Sequence, residues 1–523
     1  MVDFFDRLHE NMRFRRKTRA DGLHCGRGFV YRKQHSDQRE FEDFRLSFGD
    51  RLRSDYRCVR LAKLIPWNQI ETRYAKKFQS HTSPPARTAR IAVGSLIIKE
   101  KLQLSDEETV EQIRKNPYLQ HFPGYQAFSD DRLFDPSMLV HFRKRVTSEM
   151  LSEINDLILV SHVDTSDDDE SYTTGSNADG KNSETEGDEI YTEVQNEGSL
   201  LMDTSCIPAA IRYPTDLSLL NDAREMTEAI IDTYHTPVSG TSEKPRTYRR
   251  KAQKEYLVVA RKKKPLMKAI RWALRHQSQY VRRNLETIRS RYGDDLTRLS
   301  RYQYRSLLVV CEIYRQQRTM YNEKTHSVSD RIVSLSQPHV GPIVRGKSAA
   351  TVEFGAKISV AKIGDVAYLD RQSWDAYHEA HDLPCHVEAY RRRFGRYPKT
   401  VYADAIYRTR ENRQYRNERG IRLGGPPLGR PKKDPTRAER YQAREDECSR
   451  ITIEGVFGRG KTRYSLSRIM LKRQDTSETT ISMASLVMNL DTLLRQLSLT
   501  LFRLLTRLFR YPHWRLEFTR IHG

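Results

Sequence analysis

Cysteine is scarce in this sequence. Six cysteines are scattered over 523 residues and none sits in a Cys-x-x-Cys pair. That pattern builds neither a zinc site nor a disulfide framework, and it suits a reducing cytoplasm. Long apolar runs are missing too. No stretch reaches the ~18–20 residues of a membrane span, and the nearest, 493–509, is broken by Arg495, Arg503 and Arg507. The opening residues MVDFFDRLHENMRFRRK hold no apolar core of signal-peptide length. A Walker A loop is also missing, so nothing points to ATP coupling.

What is present is charge, and it is segregated. The net charge is +23. Residues 161–200 carry 12 Asp/Glu and one Lys, so the rest of the chain carries +34. Residues 243–305 alone hold 20 Lys/Arg against five acids. A solvated surface accounts for a single charge run, but an excess of this size argues for a polyanionic partner, most simply nucleic acid.

Along the chain, residues 1–60 are basic and weakly periodic, which predicts an irregular extension. Residues 61–160 read as helical. Ser105 and Glu108 form a capping box ahead of Val110 and Ile113, and Asp135-Pro136 opens a helix carrying Leu139, Phe142, Val146, Leu151, Ile154 and Ile158. Arg143 and Lys144 on that helix are candidates to meet DNA, or they simply keep the helix soluble. Residues 161–199 are acidic and poor in large apolar side chains, a composition that cannot offset ordering entropy and predicts a disordered linker. Leu200-Leu201-Met202 predicts a short buried strand ending on Asp203. Residues 216–325 are again helical and increasingly basic, with Lys262, Lys263 and Lys264 ahead of an amphipathic helix; 319–350 reads as loop. Strand and helix signals alternate over 351–406, and a helix, a short strand, a Gly/Pro-rich loop and the helix with Glu454 follow, which implies an α/β layer. Residues 475–511 close the chain with an apolar helix.

Three acids stand out. Asp203 and Asp404 each end an apolar strand signal, and Glu454 lies on a helix between Arg450 and Lys461, at spacings of four and seven that return to one helix face. Gly455, Gly458 and Gly460 are poor helix formers and predict that this helix loosens before Lys461. Each acid alone has a structural explanation. Together, in a positive field, they fit a carboxylate site for Mg²⁺ or Mn²⁺, hard ions that prefer oxygen ligands. Two such ions support in-line phosphoryl transfer with no side-chain nucleophile.

The chain resembles the insertion-sequence DDE transposases of the group named after insertion sequence five. The resemblance is carried by LIPWNQIETRYAKKF (64–78), LSDEETVEQIRKNPYLQHFPGY (104–125), FDPSMLVHFRKR (134–145), LLMDTSCIPAAIRYPTDLSLLNDARE (200–225), VYADAIYRTRENRQYRNERGIRLGGPPLGRP (401–431) and ITIEGVFGRGKTRYSLSRI (451–469). It implies an α/β ribonuclease-H-like core over 200–475, with Asp203 on the first strand, Asp404 after the fourth and Glu454 on a later helix. It also implies an all-α N-terminal domain over 61–160 that binds terminal inverted repeats. A largely helical insertion would span about 214–335, and a helical segment 476–523. Related transposases show a Tyr, Arg, Glu, Lys signature at spacings of three, four and seven; Arg450, Glu454 and Lys461 match it, and Glu447 stands at the tyrosine position.

The implied reaction is metal-dependent cleavage of double-stranded DNA at transposon ends, then strand transfer into target DNA. Asp203, Asp404 and Glu454 would hold two Mg²⁺ or Mn²⁺ ions, Arg450 and Lys461 would bind phosphate, and the basic 243–305 segment would track the DNA backbone. Synapsis of two ends implies a dimer or larger assembly on DNA, in the cytoplasm at the nucleoid. Three other readings compete: an inactive DNA-binding derivative, a nuclease without strand transfer, and an RNA-binding structural protein that would leave the three acids unexplained.

Overall fold

The computed structural model describes residues 51–76, 78, 87–163, 196–235, 244–292, 296–344, 352–425 and 435–509. Most of the expected N-terminal extension and most of the acidic 161–199 segment lie outside the described residues. Among the described residues the first helix starts at Arg57, inside the expected extension.

Among the described residues seven helices come first: α1 (Arg57–Leu64), α2 (Trp67–Ala75), α3 (Ala89–Leu102), α4 (Asp106–Lys115), α5 (Pro117–His121), α6 (Ser137–Arg145) and α7 (Ser148–Val163). The Ser105/Glu108 capping box is formed: Ser105 Oγ accepts from Glu108 N at 3.2 Å and Glu108 accepts from Ser105 N at 2.9 Å. The single helix expected from 137 to 158 is two. The chain breaks at Val146 (ψ 89°), and the Thr147 hydroxyl accepts from Met150 N at 3.4 Å to start α7. α3 is apolar on nearly every face and is the axis of this bundle, with Ala89, Ala92, Val93, Leu96, Ile97 and Ile98 all buried.

The N-terminus of α3 is capped from outside. Glu71 on α2 accepts from Ala89 N at 2.8 Å, while its second carboxylate oxygen is buried without a hydrogen-bond partner. Burial dominates over the backbone N–H groups of Ala89 and Arg90 and pushes this carboxyl up to about 7. The fold therefore favours neutral Glu71, and that contribution is complete below about pH 4.5 and lost as pH rises through 7. Glu71→Gln keeps an acceptor for Ala89 and cannot ionise. At pH 8 it is expected to raise the melting temperature by about 2–4 °C, an effect on the order of 1 kcal/mol, with no gain at pH 4. An equal gain at both values, read by thermal melts, would contradict the burial of charge at this position.

A mixed sheet follows, built from β1 (Ser199–Pro208), β2 (Pro342–Val344), β3 (Val352–Ile363), β4 (Val366–Ser373), β5 (Thr400–Tyr402) and β6 (Arg422–Gly424). β3 pairs antiparallel with β1, with β4 and, through its first residues, with β2; β5 and β6 follow on the far side of β1, parallel to it. β1 is longer than expected. It continues five residues past Asp203 to Pro208 because Thr204 to Pro208 find partners in β3, so Asp203 sits in mid-strand rather than at a strand end.

Among the described residues four helices stand between β1 and β2: α8 (Asp216–His235), α9 (Arg249–Ala260), α10 (Met267–Tyr292) and α11 (Arg301–Glu323). They build an apolar cluster of their own around Ile230, Ile231, Val281, Leu307 and Ile313. The expected loop begins later than the sequence suggests, at Lys324, whose left-handed backbone (φ 55°) ends α11, and β2 interrupts it.

The chain closes with α12 (Asp382–Phe394), α13 (Arg410–Asn417), α14 (Arg437–Arg463) and α15 (Gln474–Phe509). α15 ties the parts together, packing on α1, α3, α6, α7 and β4. Asn489 bonds both the N–H and the C=O of Ala367 on β4, at 2.9 and 2.6 Å. Asp491 accepts from Lys101 on α3, from Arg57 at 3.0 Å and from the Tyr464 hydroxyl at 2.8 Å. The N-terminal helices and the sheet thus share one core. No helix among the described residues is long and apolar enough to cross a membrane, and the five described cysteines are free.

Candidate active site

The ladder between β1 and β5 runs just short of the first two acids. Ser199 pairs with Thr400, Leu200 with Val401 and Leu201 with Tyr402. The ladder ends there: Asp203 lies two residues further along β1, and Asp404 lies two residues beyond the end of β5. Asp404 keeps an extended backbone (φ −63°, ψ 162°) before the turn at Ala405–Tyr407. Side chains alternate along a strand, so Asp203, Ser205 and Ile207 share one face. Ser205 and Ile207 line a small cavity of about 20 Å³ beneath α14, with Val456, Phe457 and Lys461 on its far wall. Asp203 therefore lies on the face that α14 covers. Its charge also reaches Tyr407: burial first, then the negative charge of Glu379, Asp203 and Asp382, pushes that hydroxyl well above its usual range.

α14 supplies the third acid. Its start is fixed by a capping box between Thr436 and Glu439, and it runs unbroken through Gly455, Gly458 and Gly460 to Arg463. The expected loosening does not occur. Ile453, Val456 and Gly460 are buried against the layer below, and Gly460 approaches Leu466 so closely that a Cβ would stand 3.0 Å from its side chain. Packing outweighs the low propensity of glycine.

Arg450 joins the acids. Its Nη1 donates to Asp404 Oδ1 at 2.6 Å and lies 3.9 Å from Glu454, one turn on. Its other edge donates twice to Glu447, at 3.1 and 2.7 Å. The Glu447 hydrogen bonds, and after them the charges of Asp404 and Glu454, hold the guanidinium above its usual range against a smaller opposing effect of burial; Arg450 in turn holds the Glu447 carboxyl below its usual range. Asp404 and Glu454 are 50% and 61% exposed, so both face solvent and a ligand can approach them.

Two residues at the site escaped sequence reasoning. Glu447 looked only like a departure from the tyrosine of the signature, but it is the bidentate partner of Arg450. Asp446 is buried and clamps α14 to the sheet edge: it accepts from Arg422 at 3.0 and 2.7 Å and from Gly425 N at 3.0 Å. Gly424 makes room for this clamp, because a Cβ there would stand 2.5 Å from the Tyr402 ring and 3.3 Å from the Asp446 carboxyl. The available signal was position, since Asp446 precedes Arg450 by one turn on the same face.

With this geometry in hand, residues 401–491 match the family described as transposase DDE domain, and residues 46–145 match a second transposase domain, DUF772. The chain carries transposase domains. The DDE match spans Asp404, Arg450, Glu454 and Lys461, while Asp203 lies upstream of it. The DUF772 match takes in α1 to α6. An uncharacterized protein, ORF8 in the nfe locus of Rhizobium meliloti, is 36% identical over 96 residues, which is 18% of this chain and 46% of that protein. The chain thus spans less than half the length of that relative. No solved structure matches.

Among the described residues of this transposase-like chain, no group of three or more His, Cys, Asp and Glu side chains is gathered tightly enough to hold a metal ion. The donor chemistry nevertheless fits a hard divalent cation: the site offers carboxylate oxygens from a strand, from the segment that follows its parallel neighbour and from one helix. Arg450 supplies the positive charge between Asp404 and Glu454. The candidate DNA contacts divide. Lys262, Lys263 and Lys264 are exposed in the turn between α9 and α10, and Lys144 is exposed on α6. Arg143 is not available. It is 9% exposed and its guanidinium bonds both oxygens of Asp106, at 2.9 and 2.6 Å, so it ties α6 to α4. Lys461 is half-buried beside the small cavity under α14.

Proposed function

We propose that the chain is a DNA transposase of the insertion sequence five group, built on a ribonuclease-H-like core. The observation that carries this reading is the placement of the acids. Asp203 lies on β1, Asp404 follows the end of its parallel neighbour β5, and Arg450 bonds Asp404 while lying 3.9 Å from Glu454. The strand arrangement supports the core: three antiparallel strands, β4, β3 and β1, followed by two parallel ones, β5 and β6. In this reading the helical segment over 61–160 binds the terminal inverted repeats, 200–475 is catalytic, and the insertion over about 214–335 lies along DNA. The acidic 161–199 segment links the first two, and 476–523 braces them. The enzyme works as a dimer or larger assembly on DNA, in the cytoplasm at the nucleoid.

Asp203, Asp404 and Glu454 would hold Mg²⁺ or Mn²⁺, which when bound sharpens a water or 3′-hydroxyl nucleophile and offsets charge building on the phosphate. The chain's own residues do the rest. Arg450, whose guanidinium is held by two hydrogen bonds to Glu447, would be the group that bonds a phosphate oxygen beside Asp404. Lys461 adds positive charge two turns along. The basic turn at Lys262–Lys264 neutralises backbone phosphates, which gives binding a steep salt dependence.

A second reading, an inactive DNA-binding derivative, draws on the same Arg450 contact, which occupies Asp404. Removing the metal separates the two. Wild-type protein with DNA bearing the element's ends is expected to cleave and join in Mg²⁺ or Mn²⁺, and to bind without cleaving in EDTA. Binding without cleavage in either metal would favour the inactive derivative. Cleavage without a joined product would favour a nuclease.

A further inference from the structure

The largest cavity described in the molecule lies in the helical insertion, away from the acids. It has a volume of about 850 Å³ and is walled by α8, α9, α10 and α11 together with the segment that follows β1. Eight of its lining side chains are Lys or Arg and one is an acid, Asp216. That acid is already committed, to Gln317 at 2.8 Å and Arg331 at 2.7 Å. Arg275, Arg282 and Arg318 stand exposed at the cavity. The interior is different. Val259 and Met320 are apolar and buried, and Tyr256, Tyr314 and Tyr321 present rings. The Arg271 guanidinium lies 4.8 Å from the centre of the Tyr321 ring.

A basic rim over an aromatic and apolar interior is not what a duplex surface requires. Duplex DNA offers phosphates on its outside and keeps its base faces stacked, so it uses the rim and leaves the interior unfilled. A volume in the range of small-ligand pockets, ~300–1,000 Å³, takes in one or two nucleotides and excludes a double helix. Unstacked nucleotides satisfy both parts: phosphates on the arginines and base faces on the tyrosines. The position is also suitable. Arg212, at the cavity wall, follows Asp203 by nine residues, so the two are at most ~32 Å apart even if the chain between them were fully extended. A DNA end held at the acids can reach the cavity within about one helical turn.

We propose that this cavity binds unstacked, single-stranded nucleotides of the DNA substrate, with Tyr321 as the stacking platform and Arg271 and Arg275 on the phosphates. The inference rests on the DNA-processing reading above and adds to it a strand-separated state of the bound end.

The test compares two DNAs of the same sequence: a blunt duplex carrying the element's end, and that duplex with a short single-stranded overhang. Wild-type full-length protein is expected to bind the overhang DNA about tenfold more tightly, the order of one base–aromatic stack. Tyr321→Ala should erase this preference and leave duplex affinity in place, while Tyr321→Phe keeps it. If Tyr321→Ala does not fold, judged by circular dichroism, Arg275→Gln serves instead, lowering the overhang preference and reducing the salt slope for overhang DNA by about one. Equal affinity of the wild type for both DNAs would overturn the proposal, as would a Tyr321→Ala or Arg275→Gln loss of equal size on both. Neither result touches the transposase reading, provided that cleavage at the acids persists; loss of all DNA binding would end both.

Discussion

Asp404→Ala is expected to abolish cleavage and joining at the element's ends while folding and end binding persist. The side chain is half exposed and lies outside the core, and its bond to Arg450 is a surface ion pair. Such pairs are worth roughly 0–1 kcal/mol, so the melting temperature should move by a few degrees at most. The chemistry should suffer far more. A metal-held carboxylate site contributes several kcal/mol of charge stabilisation in the transition state, and about 4 kcal/mol corresponds to a thousandfold in rate. Loss of Asp404 also frees Arg450 towards phosphate, so end binding should hold or tighten slightly. Gel shift, a cleavage and joining assay and a thermal melt on one preparation check all three. Cleavage by Asp404→Ala at the wild-type rate would remove this carboxylate from the mechanism.

The largest effect on stability is expected at Asp370, in a buried network between β3, β4 and α12. The Asp370 side chain is 5% exposed. His386 Nδ1 lies 2.5 Å from it and Arg393 donates to it at 2.7 Å; the far nitrogen of His386 lies 2.7 Å from the Ser359 hydroxyl, and Arg393 also meets Asp156 at 3.1 Å. Serine, histidine and aspartate stand here in the order of a hydrolytic triad, but Ser359 has no exposed surface and no substrate can reach it. Burial alone would raise the Asp370 carboxyl. The hydrogen bond and charge of His386, with those of Arg393, outweigh burial and hold it below its usual range. Asp370→Ala leaves a buried guanidinium with only Asp156 to balance it. Breaking a buried pair from one side costs about 3–5 kcal/mol, a large part of the stability of a typical domain. The sign with pH follows: the Asp370 contribution is present above about pH 4 and is lost as pH falls through the lower folded value. The gap between wild type and variant, measured by urea unfolding, should therefore be widest near pH 7 and narrow below pH 4. A gap independent of pH would mean that packing rather than charge carries the effect.

Much of this fold was legible because it is local. The capping box at Ser105, the basic amphipathic helix ahead of which Lys262–Lys264 stand, and the alternating strand and helix signals after residue 351 announce themselves by spacing and composition. What was missed depends on partners distant in sequence. β1 continues through Asp203 because β3, some 150 residues on, offers a register to pair with. α14 stays straight through three glycines because Ile453, Val456 and Gly460 are held from below. Arg143 appeared available for DNA because helical spacing cannot reveal that Asp106, on another helix, occupies its guanidinium. At the candidate site, the acids and Arg450 were readable as a pattern. The roles of Glu447 and Asp446 were not, because each is defined by a single contact geometry rather than by a repeat.

The clamp at Asp446 has a mechanical side. α14 rises ~1.5 Å per residue, and its first nine residues, 437–445, are all exposed, so about 13 Å of helix overhangs the body of the protein before the clamp is reached. The helix is a beam supported from one end, with Asp446 as the bearing. A push on the overhang is taken up where Asp446 grips Arg422 and Gly425 and passes into the sheet edge. Arg450 and Glu454 lie on the supported side of that bearing, with Ile453 and Val456 buried beneath them.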